Sequence, residues 1–475
     1  MADMQPSDDG TTGDGTTGNA TTGDVTTGDV TTGNDGSIDA LALDEVVAFT
    51  SELIRIDTTN RGSGDCRERP AAEYVAQRLA EAGLEPVMLE RTAGRTNVVA
   101  RIEGTDPGAD ALLVHGHLDV VPAEPADWSM HPFSGEVHDG VVWGRGAIDM
   151  KNMDAMVLAV VRSWARAGVR PRRDIVIAFT ADEEASATDG SGFLTAEHPQ
   201  LFEGCTEGIS ESGAYTFHTR PGMEIYPIAA GERGTGWLRL TGLGTAGHGS
   251  KVNRDNAVSR LAAAVARIGE HEWPVRLTAT VRASIMELAA LHDIDAPDLD
   301  APDFDVDALL NKLGPAAALV EATVRGSANP TMFNAGYKIN VIPGRATAHV
   351  DGRFLPGGED EFRETLDALT GPHVDWEFHH REVALEAPTD SPTYAKLRAA
   401  VEQFAPEGHV VPYCMSGGTD AKQFSRLGIT GYGFSPLKLP VDFDYQALFH
   451  GVDERVPVEA LHFGVRVLDH YLKTA

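Results

Sequence analysis

Residues 111–122 read ALLVHGHLDVVP, and this stretch decides how the rest of the chain is interpreted. Its first four residues are apolar and predict a short buried strand, which ends in His115, His117 and Asp119. Residues two apart in an extended segment point to the same side, so the carboxylate of Asp119 can lie beside His117 and hold its tautomer. A strand that ends in imidazole and carboxylate groups points to a functional site.

Three interpretations of this stretch are open at this point. A His-x-Asp pair at a strand end can be a buried pair with no further role. HxHxD also occurs in metallo-β-lactamase-like hydrolases, which usually add a histidine where this chain has Val120. The HxH of barrel amidohydrolases needs an eightfold strand–helix repeat, and the sequence shows none. Residues elsewhere in the chain must decide between them.

Composition limits the class of protein. The chain has 475 residues, enough for two or three domains, and no apolar run approaches the length of a membrane span. Its formal net charge of −32 argues against nucleic acid and anionic membranes as partners, because both repel an acidic surface. Three cysteines without CxxC spacing favour a reducing compartment, and no secretory signal is apparent. We therefore expect a cytoplasmic protein.

Changes in pattern divide the chain into segments. Residues 1–38 are of low complexity, with the pentad TTG(D/N)x recurring from Thr11 to Asn34 and no apolar face, which predicts a flexible acidic tail. Alternating helices and strands predict an α/β catalytic domain that is formed by residues 39–232 and 384–475. Residues 233–383 predict a small α+β unit, within which 285–305 is rich in Asp, Ala and Pro and indicates an exposed excursion. Helices are predicted at about 44–55, 68–82, 151–167, 255–268, 359–370, 391–404 and 456–472, and strands at about 85–90, 97–102, 111–115, 174–180, 235–241, 331–336, 345–353 and 373–380, with a hairpin that turns at 139–140.

Acidic residues follow further predicted strands and turns. Asp149 lies in GRGAIDMK, Glu183 and Glu184 lie in TADEE, and Glu211 lies in SESG. Taken alone, Asp149 is a helix N-cap and the TADEE acids are a solvated loop. Sites in α/β sheets lie at the carboxyl ends of strands, where converging carboxylates would repel each other unless cations neutralised them. Together with His117, these acids indicate a metal site that suits zinc, or manganese or cobalt in its place.

Seven motifs now resemble the dinuclear zinc metallopeptidase family that includes aminoacylase, acetylornithine deacetylase, succinyl-diaminopimelate desuccinylase, glutamate carboxypeptidase and related dipeptidases. HGHLDVVP, GRGAIDMK, TADEE, ISESGA, GHGS, NVIP and FHGVDE stand in the family's order and cover residues 40–475. The resemblance implies an α/β catalytic domain with a mostly parallel central sheet flanked by helices. It also implies an inserted, ferredoxin-like α+β lid and dimerisation domain at 233–383.

The resemblance implies a site for two zinc ions, with cobalt or manganese possible. His117 and Glu211 would bind one ion, Glu184 and His450 would bind the other, and Asp149 would bridge the two. The peptide bond between Asp149 and Met150 is expected to be cis. His115, the first histidine of HGH, is expected to be structural.

Catalytic roles also follow from the resemblance. Glu183 would be the general base for the water that attacks the amide carbonyl, and Asp119 would orient His117. His248, in GHGS, would reach the active site of the partner subunit and stabilise the oxyanion there. The resemblance thus implies a homodimer that is formed through the lid domain.

Substrate binding is expected in two places. Arg353, with Asn340 nearby, would bind a free carboxylate of the substrate, although a salt bridge within the lid is the alternative for Arg353. The turn at Gly417, Gly418 and Thr419 would offer backbone N–H groups to the same carboxylate.

The expected function is zinc-dependent hydrolysis of an amide or peptide bond in a small, carboxylate-bearing substrate. The shared motifs do not separate an N-acyl amino-acid deacylase from a dipeptidase or carboxypeptidase. A metal-dependent binding protein without activity is the alternative from another class, and Glu183 argues against it, because a pure binder needs no base beside its ligands.

Overall fold

The computed structural model describes residues 38–62 and 66–475. The acidic tail expected over residues 1–38 therefore lies outside the described residues, apart from Ile38. Among the described residues, no helix is both long enough and apolar enough to cross a membrane. The helices are α1 (Ala40–Arg55), α2 (Arg69–Glu81), α3 (Lys151–Ala167), α4 (Ser191–Glu197), α5 (Ala257–Gly269), α6 (Ala279–Leu291), α7 (Val306–Leu313), α8 (Glu359–Thr370), α9 (Pro392–Phe404), α10 (Ala421–Phe424), α11 (Tyr445–Leu448) and α12 (Val458–Thr474). The strands are β1 (Val87–Glu90), β2 (Thr96–Ile102), β3 (Ala111–His117), β4 (Val137–His138), β5 (Val141–Trp143), β6 (Ile175–Thr180), β7 (Cys205–Ser210), β8 (Phe217–Arg220), β9 (Met223–Glu232), β10 (Gly234–Leu243), β11 (Gly247–His248), β12 (Ser327–Ala335), β13 (Val341–Ile342), β14 (Arg345–Phe354), β15 (Val374–Glu382), β16 (Leu385–Glu386), β17 (His409–Met415), β18 (Thr430–Gly433) and β19 (Arg455–Pro457).

A ten-stranded sheet carries the predicted motifs. Its order is β1-β2-β6-β3-β7-β18-β9-β16, and β8 and β17 also pair with β9. The middle strands β6, β3, β7 and β18 run parallel, while antiparallel pairs lie toward the edges. Every residue of β3 and of β6 is buried, as expected for parallel strands with helices on both faces.

Alternate residues of β3 pack into different cores. Leu112 and Val114 join the large cluster that contains α1, α3 and α12, whereas Ala111 and Leu113 join a smaller cluster that contains residues of α4 and α10. Side chains alternate between the two faces of a strand, so helices cover the sheet on both sides. The expected α/β fold, with a central sheet flanked by helices, is confirmed.

A second sheet has the order β12-β14-β10-β15 and is antiparallel throughout. Along β14 the residues alternate between buried and partly exposed, and the buried ones pack against α5 and α8. One covered face and one open face are typical of an antiparallel α+β layer. The inserted lid fold is present, whereas the domain boundaries 39–232, 233–383 and 384–475 stay predictions.

The segment 275–325 leaves this second sheet and returns to it. The N–H of Arg276 donates to the carbonyl of Val324 at 2.9 Å, so the two ends of the segment lie side by side. Between these ends, the apolar face of α6, with Ile285 and Leu288, packs against β17 of the ten-stranded sheet. The exposed excursion expected over 285–305 is therefore wrong for 285–291, which forms the last turns of α6 and buries Ile285, Leu288 and Ala289.

Local signals predicted several of the regular elements. The predicted helices 151–167 and 359–370 match α3 and α8 at both ends, and β4 and β5 form the expected hairpin around Asp139-Gly140. β9 was not predicted, because Pro227 interrupts its apolar run and proline argues against a central strand. The partner strand β17 contains Pro412 and was missed for the same reason.

Candidate active site

Three neighbouring strand ends carry the acidic motifs to one edge of the ten-stranded sheet. His117 is the last residue of β3, Glu183 and Glu184 follow β6, and Glu211 follows β7. Because β6, β3 and β7 are parallel neighbours, their carboxyl ends meet at the same place. Gly116 allows close packing here, since a Cβ at this position would lie 2.3 Å from a carboxylate oxygen of Asp154 on α3.

Asp149 lies between two imidazoles. Its Oδ1 is 3.1 Å from His117 Nε2, and its Oδ2 is 3.2 Å from His450 Nε2. The peptide bond from Asp149 to Met150 is cis, as expected. The N–H groups of Ile148 and Asp149 both donate to Glu454 Oε1, at 2.8 and 3.1 Å. Asp149 therefore presents one oxygen to each histidine, and the two hydrogen bonds to Glu454 hold the turn in which Asp149 lies.

Two further carboxylates complete the cluster on either side of Asp149. Glu184 Oε2 is 3.1 Å from His450 Nε2, and Glu211 Oε1 is 3.7 Å from His117 Nε2. The possible ligand atoms of His117, Asp149 and Glu184 lie within 4.8 Å of one another, and so do those of His117, Glu183 and Glu211. The structure thus brings together the five predicted metal ligands and the predicted base. His115 lies apart from them, with its ring 4.8 Å from that of Phe424.

Asp119 contacts this cluster through two different groups. Its backbone carbonyl lies 2.9 Å from His117 Nδ1, whereas its carboxylate is 3.7 Å from the same nitrogen. The carboxylate accepts hydrogen bonds from the N–H groups of Glu183, at 3.2 Å, and Glu184, at 3.1 Å, and from Asn60 Nδ2 at 2.8 Å. The carbonyl therefore orients the imidazole, and the carboxylate holds the turn that carries both glutamates.

The charges of the cluster are not balanced by the chain itself. Burial raises the pKa of Glu211 to about 8, and the carboxylate of Asp149 adds to this effect. Burial likewise raises the pKa of Glu183 and that of Glu184. Hydrogen bonds to Asp149 and Glu184 raise the pKa of His450 to about 10. The two histidines lower the pKa of Asp149 well below its usual range, but they do not fully compensate the three buried glutamates.

This donor set fits two divalent cations. Glu184 Oε1 is buried and has no hydrogen-bond partner among the described residues. Imidazole nitrogens and carboxylate oxygens are the ligands that zinc takes in hydrolytic sites. A carboxylate such as Asp149, with one oxygen toward each histidine, is suited to bridge two ions.

Comparison with known proteins agrees with the motifs and the fold. Residues 113–474 match the model of peptidase family M20/M25/M40. The chain belongs to this family. It is 30% identical over 395 residues to the N-fatty-acyl-amino acid synthase/hydrolase PM20D1 of Homo sapiens, an alignment that covers 79% of this chain and 76% of that protein. Aminoacylase-1 of Sus scrofa is 27% identical over 413 residues, which cover 85% of this chain and 89% of that protein.

A solved structure of the family has the same fold. The M20 family metallo-carboxypeptidase Sso-CP2 from Sulfolobus solfataricus superposes with a TM-score of 0.67 at 18% identity, covering 90% of this chain and 99% of its own. The expectation of a hydrolase that acts on amide or peptide bonds is confirmed at the level of the M20 family.

The predicted cluster opens into a cavity of about 620 Å³, which the four-stranded sheet also lines. Thr235 of β10 pairs with Arg353 of β14 on one side and with Glu382 of β15 on the other, and all three residues line the cavity. Arg353 Nε lies 2.7 Å from Asp351 Oδ1, and its Nη1 donates to Thr235 at 3.0 Å. Arg353 therefore lines the cavity and also forms the salt bridge that was its alternative role.

The glycine-rich turn lies on the same cavity. Gly417 and Gly418 line it with Thr419, but both donors of Thr419 are occupied. Its N–H and its hydroxyl donate to the carboxylate of Glu232, at 3.0 and 2.8 Å. This leaves the two glycines as the part of the turn that is available to a ligand.

Two predicted residues lie elsewhere. His248 is on β11, which pairs with β13, and its Nδ1 lies 2.8 Å from Ser250 Oγ. The N–H of Gly249 donates to the carbonyl of Asn340 at 2.9 Å, so Asn340 lies on the same ribbon. Neither His248 nor Asn340 is among the residues that line the cavity.

Sequence reasoning missed several residues of the site. Glu454 holds the turn of Asp149, and its place in FHGVDE, four residues after His450, was a usable signal. Lys422 is buried, and its Nζ lies 3.3 Å from Oε2 of Glu382, which lines the cavity. No motif marks this pair, because only the pairing of β10 with β15 brings Glu382 to the cavity.

Proposed function

We propose that this protein is a dinuclear zinc hydrolase that removes the acyl group from N-acyl amino acids. The observation that carries the proposal is Asp149, which has one oxygen toward each of two histidines, with Glu183 in the same cluster. Sequence similarity to an N-fatty-acyl-amino acid hydrolase and to an aminoacylase supports acyl amino acids over dipeptides.

The five clustered residues would divide between two ions. His117 and Glu211 would hold one zinc ion, His450 and Glu184 would hold the other, and Asp149 would bridge them. Bound zinc supplies Lewis acidity, which polarises the amide carbonyl and lowers the pKa of a water molecule. Cobalt or manganese would substitute, because both accept the same nitrogen and oxygen ligands.

Glu183 performs the proton transfer in this proposal. Its carboxylate lies in one cluster with His117 and Glu211, where it can accept a proton from the attacking water. The proton then passes from Glu183 to the leaving nitrogen of the amino acid. The hydrogen bond from the Glu183 N–H to Asp119 holds the base in place during both transfers.

The free carboxylate of the substrate binds where the lid faces the cavity. Arg353 offers its guanidinium there, with Asp351 to orient it, and Gly417 and Gly418 offer backbone N–H groups.

We propose a homodimer that forms through the outer strand of the lid. All residues of β12 from Asn329 to Ala335 are exposed, including Met332 and Phe333, and β12 is an edge strand of its sheet. An exposed apolar edge strand favours pairing with another chain. In such a dimer, His248 would act in the active site of the partner subunit. A cytoplasmic location, expected from the cysteine content, stays a prediction.

Hydrolysis of matched substrates tests the proposal. We expect cleavage of N-acyl amino acids, no cleavage after treatment with a chelator, and recovery on addition of zinc. Release of free amino acid, measured by chromatography, is the readout. Cleavage of dipeptides alone would show instead a dipeptidase with the same metal centre.

A further inference from the structure

Asn60 lies beside the turn that carries the two glutamates of the cluster, and none of the seven motifs contains it. The segment 58–60 runs parallel to residues 118–120, which follow β3, with a bridge between Thr59 and Val120. The N–H of Asn60 donates to the carbonyl of Val120 at 2.8 Å. The backbone of Asn60 is therefore fixed relative to the end of β3.

The side-chain amide of Asn60 is buried and uses all of its hydrogen-bonding capacity. Its Nδ2 donates to Asp119 Oδ2 at 2.8 Å and to Asp182 Oδ1 at 3.2 Å. Its Oδ1 accepts hydrogen bonds from the N–H of Gly62, at 2.9 Å, and from Cys66 Sγ, at 3.3 Å. An amide has two N–H donors and one oxygen with two lone pairs, so these four partners fix its orientation.

Asp182 holds the turn of the two glutamates from the other side. It has a left-handed φ of 66°, and its carbonyl accepts a hydrogen bond from the N–H of Ala187 at 2.7 Å. Its Oδ2 accepts hydrogen bonds from the hydroxyl of Ser186, at 2.8 Å, and from the N–H of Asp189, at 3.1 Å. Asp182 therefore organises the loop 182–189, which contains both glutamates.

The amide of Asn60 lies between two buried carboxylates, those of Asp119 and Asp182. Carboxylates that approach each other in a buried site repel unless a cation or a hydrogen-bond donor compensates them. Arg95 Nη2 lies 3.1 Å from Asp182 Oδ1 and supplies one positive charge. Asn60 supplies a donor to each carboxylate, so it joins the stretch after β3 to the stretch after β6.

We propose that Asn60 is a positioning residue that holds Glu183 and Glu184 in place through the two aspartates. Asp119 accepts hydrogen bonds from the N–H groups of both glutamates, and Asp182 directly precedes them, so both aspartates act on one turn. This inference rests on the proposed hydrolytic function, in which Glu183 is the base and Glu184 binds metal. Without the amide donors, the base moves from its position for proton transfer and the metal site of Glu184 weakens.

Asn60→Leu tests this role, because leucine keeps the approximate size of the side chain and removes both donors. Kinetics are measured at saturating zinc on an N-acetyl amino acid, or on a dipeptide if the native protein cleaves only dipeptides. We expect kcat to fall about tenfold or more, with KM within about twofold of native, because Asn60 does not line the cavity. Native kcat in this variant overturns the proposal.

Two further variants separate hydrogen bonding from packing. Asn60→Asp keeps the shape of the side chain but cannot donate to two carboxylates at neutral pH, so it should lose at least as much activity as Asn60→Leu. Asn311→Leu makes the same substitution on α7, where Asn311 is exposed and does not line the cavity, and should behave as native. Thermal unfolding checks that all three variants are folded at the assay temperature. Native kcat in folded Asn60→Asp would show that the donors are not needed.

A double-mutant cycle shows whether Asn60 acts through Asp119. Asp119→Ala removes the carboxylate that accepts from both Asn60 and the glutamate turn. Asn60→Leu should therefore lower kcat by a smaller factor in Asp119→Ala protein than in native protein. Equal factors in the two backgrounds overturn the proposed route.

Metal binding gives a readout that needs no turnover. Cobalt is titrated into metal-free protein and followed by its visible absorption. We expect one of the two cobalt ions to bind about tenfold more weakly to Asn60→Leu than to native protein and to Asn311→Leu. If the native protein cleaves neither substrate, the proposed function fails, and this titration still decides the role of Asn60. Equal cobalt affinity in the three proteins overturns that role.

Discussion

The edge of the ten-stranded sheet and the segment 275–325 form the same cavity by different means. At the sheet edge, His117 is the last residue of one parallel strand and Glu211 directly follows the neighbouring strand, so the pairing of the backbone places their side chains. In the segment, Ala318 and Ala322 line the cavity from short turns whose position depends on apolar packing against β17. A residue that binds a metal ion must supply a donor atom of the right type. A residue that only lines a cavity must have a suitable size and shape. The two regions of the cavity thus differ in how the fold places their side chains.

The largest effect should come from the base at the sheet edge. Glu183→Gln keeps the shape of the side chain but removes the proton acceptor, so we expect kcat to fall by about a thousandfold. Metal content, measured by atomic absorption, should stay at the native value. Glu203→Gln, an exposed glutamate, is the control and should retain full activity. Native turnover in Glu183→Gln would remove the base from the mechanism.

The next effect concerns a residue that neither region of the cavity contains. His248→Ala should lower kcat by about a hundredfold, as the loss of one oxyanion donor does elsewhere. Hybrid dimers of His248→Ala and Glu183→Gln subunits should regain activity, because one of their two sites has both groups. Confirmed hybrids without activity would contradict catalysis across the dimer.

A smaller effect is expected at the polar lining of the cavity. Arg353→Lys loses the planar fork that binds a carboxylate, so KM should rise by about tenfold with little change in kcat. Arg239→Lys is the matched control, because Arg239 also lies on a strand of the lid and pairs with Glu377 without lining the cavity. An equal rise in KM for both variants would point to a general effect on the lid.

The smallest change in activity should follow from loosening the segment itself. Leu288→Ala removes buried apolar volume between α6 and β17 and should lower the free energy of unfolding by about 3 kcal/mol. The kcat/KM for N-acyl amino acids should fall by a few fold, while metal content stays native. A loss of metal would show that the two regions are coupled.

Removal of the metal tests the sheet edge without any mutation. Carboxylates that converge without cations repel each other, so chelated protein should unfold at a lower temperature than the zinc-loaded protein. Metal at a hundredfold excess over its Kd stabilises the folded state by about 3 kcal/mol. Differential scanning calorimetry before and after addition of zinc measures this difference. Equal unfolding temperatures would contradict a bound metal in the cluster.

Sequence patterns predicted those parts of the fold that depend on neighbours in the chain. α3 has a buried apolar stripe and ends at Gly168 in a left-handed conformation, so its bounds follow from local signals. β9 and β17 pair with each other, and each contains a proline. A proline argues against a central strand when the sequence is considered without the pairing. Residues 285–291 of α6 were expected to be exposed, because the apolar residues of this stretch have their partners on β17, more than a hundred residues away.

By itself, the sequence determined which groups are available for chemistry and that they follow the ends of strands. The identity of His117, Asp149, Glu183 and His450 as candidates needed no coordinates, because residue type and motif order carry that information. Only the tertiary structure decided that Asp149 presents one oxygen to each histidine and that the carbonyl of Asp119 contacts the imidazole. It also decided that the segment 275–325 supplies a wall of the cavity. Such arrangements depend on contacts between distant parts of the chain, which a local pattern does not contain.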